Sequence, residues 1–270
     1  MQRLKADQRT KVRNFIQWTQ SSETVAINFL VKANWNTEFA TQLYFDNPRL
    51  FESTSTYQPD KQKMERLFHK YVNARDQLGA NTMGPNGVAM FLKDLGIDPC
   101  DRKVLLFACK TKAGTQCEFT LEEFITGLTA LQADTVETIR ERLDALENSL
   151  KNDRVKFREI YLFTFNYGKP ASQRSLDMET AIAYWEVLFG TEYAIMSSWI
   201  EFLRDEHKSA ITRDTWNLLL DFVHVIKSDL SDYDEDGAWP VLIDQFVEYA
   251  RSRYNLPKPG QAIADGPAYY

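Results

Sequence analysis

Apolar residues recur three and four positions apart along most of this chain, and no stretch sustains the alternation by two that a half-buried strand needs. Met64, Leu67, Phe68 and Tyr71 open one such pattern, and Val88, Phe91, Leu92 and Leu95 form another. Val104, Leu105, Phe107 and Ala108 lie in a third, and Tyr184, Trp185, Val187, Leu188 and Phe189 crowd a further helix. Val136, Ile139, Leu143, Leu146 and Leu150 make a long amphipathic helix, for which Asp134 and Glu137 are the expected capping pair. Gly and Pro are scarce, 11 and 9 in 270 residues, which suits helices better than a turn-rich β fold. The spacing predicts an all-α protein.

Three short helical patterns precede these. Val12, Phe15, Ile16 and Thr19 share one face; Val25, Ala26, Phe29, Leu30 and Ala33 share the next, behind Ser21 and Ser22 as candidate caps. Phe39, Ala40, Leu43 and Tyr44 follow Thr37, a candidate N-cap. Residues 8–47 are read as a small three-helix bundle. Two prolines and a Ser/Thr run then break every periodicity, so residues 48–60 are expected to be a linker, 61–252 a larger helical domain and 253–270 a disordered tail.

Within the larger domain, Asp232, Asp234, Asp236 and Gly237 match the opening of an EF-hand calcium loop. Position 12 of that frame is Ile243, which cannot supply the bidentate carboxylate that closes the coordination sphere, and Asp244 comes one residue late. Residues 117–128 have the back half of an EF-hand, but the preceding 112–117 lack carboxylates. Residues 83–88 have the glycines without the acids, and 210–218 have the same helix-entry pattern. These four segments suggest degenerate EF-hand packing without metal. The acids at 232–236 have three readings: a solvated turn that caps the next helix, calcium ligands, or a surface that steers a basic partner.

The net charge of −6 argues against nonspecific nucleic-acid binding as the main task, and no apolar run approaches the length of a membrane span. No apolar signal core opens the chain, which points to a soluble protein of nucleus or cytoplasm. Cys100, Cys109 and Cys117 form no CxxC pair and, with three histidines, no zinc pattern. Phosphate loops, GxSxG, HExxH and Cys–His motifs are absent from the sequence. Cys117 precedes a helix start without a cationic neighbour, so a structural thiol is expected there rather than a nucleophile.

The segments YDEDGAWPVLIDQF (233–246), RDTWNLLLDF (213–222), LDMETAIAYW (176–185), TQCEF (115–119) and KVRNFIQWTQSSE (11–23) together resemble the defective-in-cullin-neddylation family. The likeness runs from near the N-terminus to about residue 250 and is strongest to metazoan-type members with a ubiquitin-associated (UBA) bundle before the PONY domain. The resemblance implies a co-ligase with no catalytic residues, cofactor or metal. Such a protein holds the conjugating enzyme of the Nedd-type modifier against the C-terminal winged-helix region of a cullin, often with its RING-box subunit. Fixing two reactants in productive geometry lowers the entropic part of a barrier without new chemistry.

Carried over by motif, the family's cullin-binding patch falls on Asp214, Ala238 and Asp244. The pocket for the acetylated N-terminal Met of the conjugating enzyme falls on Val88, Pro99, Cys100, Val104, Phe107 and Ala108. Gln116, Cys117, Phe119, Tyr167, Tyr184 and Val187 complete it. Acetylation removes an ammonium charge whose burial would be costly, so an apolar pocket suits that ligand. The chain departs from the metazoan pattern at Pro85, Cys100 and Phe107. For the UBA-like bundle, Trp18 to Ser22 and Phe39 to Tyr44 are the segments implied for ubiquitin, with a plain spacer as the alternative. Two rival functions remain open: an EF-hand-like calcium-responsive adaptor, and a ligase that carries the modifier as a thioester.

Overall fold

A computed structural model describes residues 5–21, 23–47 and 58–256. As the apolar spacing predicts, the described residues are organised almost wholly as helices, with two two-residue strands. They fall into two compact units that divide between Gln58 and Pro59.

The first unit is a bundle of α1 (Ala6–Thr19), α2 (Glu23–Lys32) and α3 (Thr37–Asp46). The rings of Phe15, Phe29 and Tyr44 meet at its centre, with centroids 5.3–5.9 Å apart. Asn36, not Thr37, caps α3, its side chain accepting the Phe39 N–H at 3.1 Å. Of the two expected caps of α2, Ser22 lies outside the described residues and Ser21 shares a hydrogen bond with Thr19.

Most of the expected linker, 48–57, lies outside the described residues. Asp60 belongs to the larger unit: it caps α4 (Lys61–Tyr71), and its own N–H donates to the Asp134 carboxylate at 3.0 Å. That bond occupies Asp134, and Thr135 caps α8 (Val136–Leu150) instead, in a reciprocal pairing with Thr138.

Ahead of α8 stand β1 (Thr82–Met83), α5 (Pro85–Leu95), α6 (Arg102–Thr111), β2 (Phe119–Thr120) and α7 (Leu121–Leu131). The strands pair antiparallel, Thr82 with Thr120 and Met83 with Phe119. In twelve-residue frames starting at Asp76 and Lys112, these loops meet at their eighth residues, Met83 and Phe119. Each frame keeps one carboxylate at the positions where an EF-hand takes side-chain ligands, at opposite ends. Asp76, at position 1, accepts from the N–H groups of Asn86 and Gly87 at 3.0 and 3.2 Å. Glu123, at position 12, accepts from Gly114 and Thr120 at 2.8 and 2.7 Å. Backbone donors thus take the lone pairs that a calcium loop gives to its ion. Helices α6 and α7 approach so closely that a Cβ on Gly127 would lie 2.3 Å from a Thr111 methyl.

Beyond α8 come α9 (Arg154–Gly168), α10 (Met178–Phe189), α11 (Ala194–Glu206), α12 (Arg213–Val225) and α13 (Val241–Tyr254). Here a single bridge joins Leu176 to Ile211, with N–H···O bonds of 2.8 and 2.7 Å. The fourth loop–helix unit is therefore the LDMET segment. The acidic run at 232–237, expected to be that unit, forms no strand pair among the described residues. Tyr161, Trp185 and Trp216 fill the centre of this half. Trp216 stacks on Tyr161 at 4.7 Å and on Trp185 at 5.0 Å, and both indole N–H groups donate to oxygens of Tyr161. Such partners spare a buried indole N–H the cost of losing water, and each ring pair contributes about 0.5–1.5 kcal/mol beyond its area.

Helix α13 extends to Tyr254, so Arg253 and Tyr254 are helical rather than part of a disordered tail. Both bond to Glu201 of α11, at 3.1 and 2.6 Å, before Asn255 closes the helix in a left-handed conformation. Residues 257–270 of the expected tail lie outside the described residues. No described helix is long and apolar enough to cross a membrane.

Candidate functional site: an apolar pocket and an acidic face

The pocket assigned by resemblance draws on six parts of the larger unit. Val104, Phe107 and Ala108 share one face of α6, since residues three and four apart on a helix are neighbours. Tyr184 and Val187 do the same on α10. Val88 lies on α5 and Tyr167 on the last turn of α9, while Gln116 and Cys117 precede Phe119 of β2.

Burial divides these residues into a floor and a rim. Val88, Phe107, Ala108, Phe119, Tyr167 and Tyr184 are buried, Val104 and Val187 are half-buried, and Pro99, Cys100, Gln116 and Cys117 are exposed. Phe107 packs at 5.2–5.9 Å against Phe91, Phe119 and Phe124, so the bulk of this departure from the family pattern lies in the core. Pro99 and Cys100 sit on the α5–α6 loop, where the Cys100 N–H closes a turn on Asp98. Arg102 holds the α10 side in place: its guanidinium donates to the Leu188 carbonyl at 2.8 Å and to Glu147 at 2.6 Å.

Polar groups of the rim and of the floor interact here. The Cys117 N–H donates to the Tyr167 hydroxyl at 3.2 Å, with Cys117 in the left-handed region at φ 60. Burial pushes the Tyr167 phenol up to about 12, and burial also raises the Cys117 thiol. Tyr184 is raised further, by burial first and then by Tyr167 and Cys117. Its hydroxyl is buried with no hydrogen-bond partner among the described residues. Its ring lies against Gly168, where a Cβ would come within 2.2 Å of Cε2, so only glycine fits there. An orphaned buried hydroxyl costs about 1–3 kcal/mol, which a ligand that accepts from it would recover.

The acidic face has a different construction. Tyr233 and Trp239 lie roughly parallel, 27° apart, and the edge of Phe222 from α12 meets both at 6.0 and 5.6 Å. This aromatic platform carries exposed Ala238 beside Trp239. The Tyr233 hydroxyl donates to the Asp244 carboxylate in the first turn of α13, and burial followed by that bond raises the Tyr233 phenol. Arg251 lies over the Tyr233 ring at 5.8 Å and pairs with Glu235. A cleft of about 640 Å³ opens beside Asp244, lined by Glu235, Glu248 and Arg251 among others.

Trp239 and Tyr233 link Ala238 and Asp244 through one aromatic platform, while Asp214 is carried by a separate helix. Asp214 is exposed in the first turn of α12, eight residues before Phe222, or about 12 Å of helix. Thr212, not Asp214, caps that helix by accepting the Thr215 N–H. The acids at 232–236 do not cap α13 either, whose N-cap Pro240 has no side-chain bond. Asp232 and Asp234 instead accept from Lys227 and Asp236 within their own loop, each near 3.0 Å. Among the described residues no three of His, Cys, Asp or Glu are grouped as a metal site requires. Tyr233 and Glu123 were not singled out from the sequence. Counting back twelve residues from Glu123 would have found the second.

In the small unit, Trp18 and Phe39 are each 53% exposed, so both segments implied for ubiquitin present an apolar ring to solvent.

These features define a two-module helical protein. Residues 138–249 match the family described as Cullin binding, and residues 9–49 match the UBA-like domain family. The chain is similar to Defective in cullin neddylation protein 1 of Caenorhabditis elegans, at 51% identity with the whole of both chains covered. It is also similar to DCN1-like protein 3 of Rattus norvegicus, 37% identical over 79% of this chain and 71% of that protein. The Homo sapiens DCN1-like protein 3 is 38% identical over 76% and 68%. The chain belongs to the defective-in-cullin-neddylation family.

Proposed function

We propose that this protein promotes cullin neddylation as a scaffold, gripping a cullin at the acidic face and the modifier's conjugating enzyme at the apolar pocket. The cullin's basic side chains meet Asp214 and Asp244, and small Ala238 lets them approach. The acetylated N-terminal Met of the conjugating enzyme enters between α6 and α10, with an amphipathic helix following it along the rim. The observation that carries this reading is the Tyr184 hydroxyl, buried and unpartnered beside Tyr167 and Cys117. An acetyl carbonyl accepts from it, whereas a free ammonium offers only donors and resists burial. Acceleration comes from positioning, and thiols raised by burial at Cys109 and Cys117 are poor thioester carriers. The exposed rings of the small unit suit a weak contact with ubiquitin.

The test is a reconstituted cullin modification reaction with acetylated or unacetylated conjugating enzyme. Acceleration of the acetylated form alone is expected. Equal acceleration of both would remove the pocket assignment, and calcium-dependent acceleration would favour the sensor alternative.

A further inference from the structure

We propose that Glu123 is a positioning residue of the peptide pocket, its carboxylate holding the recognition loop in the place a bound cation holds an EF-hand loop. This inference rests on the pocket reading given above. In a calcium loop the position-12 Glu gives both oxygens to the ion, and the ion ties the loop's two arms together. In the frame that starts at Lys112 the Glu is kept but its co-ligands are gone: positions 1, 3 and 5 are Lys112, Gly114 and Gln116. One oxygen of Glu123 accepts from the Gly114 N–H at 2.8 Å. The other accepts from the Thr120 N–H at 2.7 Å and the Thr120 hydroxyl at 2.9 Å.

The two gripped backbone positions bracket the segment that carries Gln116, Cys117 and Phe119. That segment needs external restraint. Cys117 sits at φ 60, where the ordinary EF-hand frame has glycine, and a side chain is strained in that conformation. Its apex is tied to the body of the larger unit by the Cys117 N–H bond to Tyr167, beside a 3.3 Å turn bond from Glu118 N–H to the Thr115 carbonyl. Glu123 therefore acts on the ligand through the loop, without touching it. The same carboxylate also closes a capping box with Thr120, and that local helix role must be separated from the positioning role.

Three versions of the full chain distinguish the two: wild type, Glu123→Gln and Thr120→Val. The amide of Glu123→Gln has one acceptor oxygen and cannot grip both arms. Thr120→Val loses the cap hydroxyl but keeps the Gly114 and Thr120 N–H bonds. The probe is a peptide with an N-acetyl-Met start and an amphipathic helical sequence, with the isolated cullin winged-helix region as the control ligand. Glu123→Gln is expected to weaken the peptide about fivefold or more, to speed amide exchange at Gly114 and Cys117, and to leave cullin affinity unchanged. Thr120→Val is expected to lower the melting temperature with peptide affinity retained. Should wild type bind no peptide, the pocket reading and this one fall together. Should wild type and Glu123→Gln bind it equally, only the positioning role is overturned. Equal weakening by both variants would reduce Glu123 to a helix cap and overturn it too.

Discussion

The apolar pocket and the acidic face proposed as binding surfaces are built by opposite means. The pocket's floor is core: Phe107, Ala108 and Phe119 are no more than 2% exposed and hold neighbouring helices together. On the acidic face, Asp214 and Ala238 are exposed, and the packing beneath is done by Tyr233, Trp239 and Phe222. Substitutions in the pocket must therefore confound stability with recognition, whereas on the face the two separate. Tyr184 is the exception within the pocket, because its hydroxyl has no hydrogen-bond partner among the described residues.

Ala238→Arg is the largest break this contrast allows. It places a cation where a basic partner must dock, and like-charge juxtaposition costs several kcal/mol. Binding of the cullin tail is expected to fall by at least about a hundredfold by calorimetry, with the melting temperature unchanged. Normal binding would remove Ala238 from the interface.

Tyr184→Phe sharpens the contrast from the other side. Loss of the hydroxyl is expected to weaken an acetylated peptide about tenfold. Stability in urea should stay level or rise by up to about 1 kcal/mol, because a buried unsatisfied group is removed. A drop in stability with unchanged peptide affinity would show that the hydroxyl serves the fold. A smaller effect is expected at the face from Tyr233→Phe, which frees the Asp244 carboxylate but keeps the ring against Phe222. Cullin affinity should fall a few-fold, and in a double-mutant cycle with Asp244→Asn the two losses should not add.

How much of this was legible in the sequence follows from the kind of signal each feature leaves. Apolar spacing marked the helices because period 3.6 is a local property, visible at Val136, Ile139 and Leu143 without knowing their partners. The caps were less legible. Asp134 reads as a cap until Asp60, 74 residues away, donates to it, a contact no local pattern contains. The fourth EF-like unit was misplaced for a related reason. The acids at 232–236 imitate calcium ligands, while the loop before Leu176 carries no carboxylate and is betrayed by its bridge to Ile211. The pocket and face residues came from resemblance, since nothing in spacing separates Tyr184 from a core tyrosine. Tyr233 could not be found that way, because its role is the direction of one hydroxyl.

The smallest expected effects concern the sulfurs on the pocket side, and they test whether that side carries any covalent chemistry. Burial pushes the Cys109 thiol up to about 11 and also raises Cys117, so both are mainly protonated at neutral pH. Cys100 lies exposed on its loop. Cys117 is exposed too and Cys109 half-buried, so alkylation at pH 8 should reach Cys100 and Cys117 before Cys109, as read by mass spectrometry. Cys117→Ser should leave maximal cullin modification within about twofold once the conjugating enzyme is saturating, because a positioning scaffold loses affinity rather than chemistry. A raised thiol pKa also has a thermodynamic sign. The unfolded chain loses its proton first, so stability is full below the ordinary thiol range and declines as pH rises toward about 11. Cys109→Ala should flatten that alkaline decline relative to wild type. An unaltered decline would place its origin in other groups, and a thioester trapped at Cys117 would turn the pocket from a grip into a reaction centre.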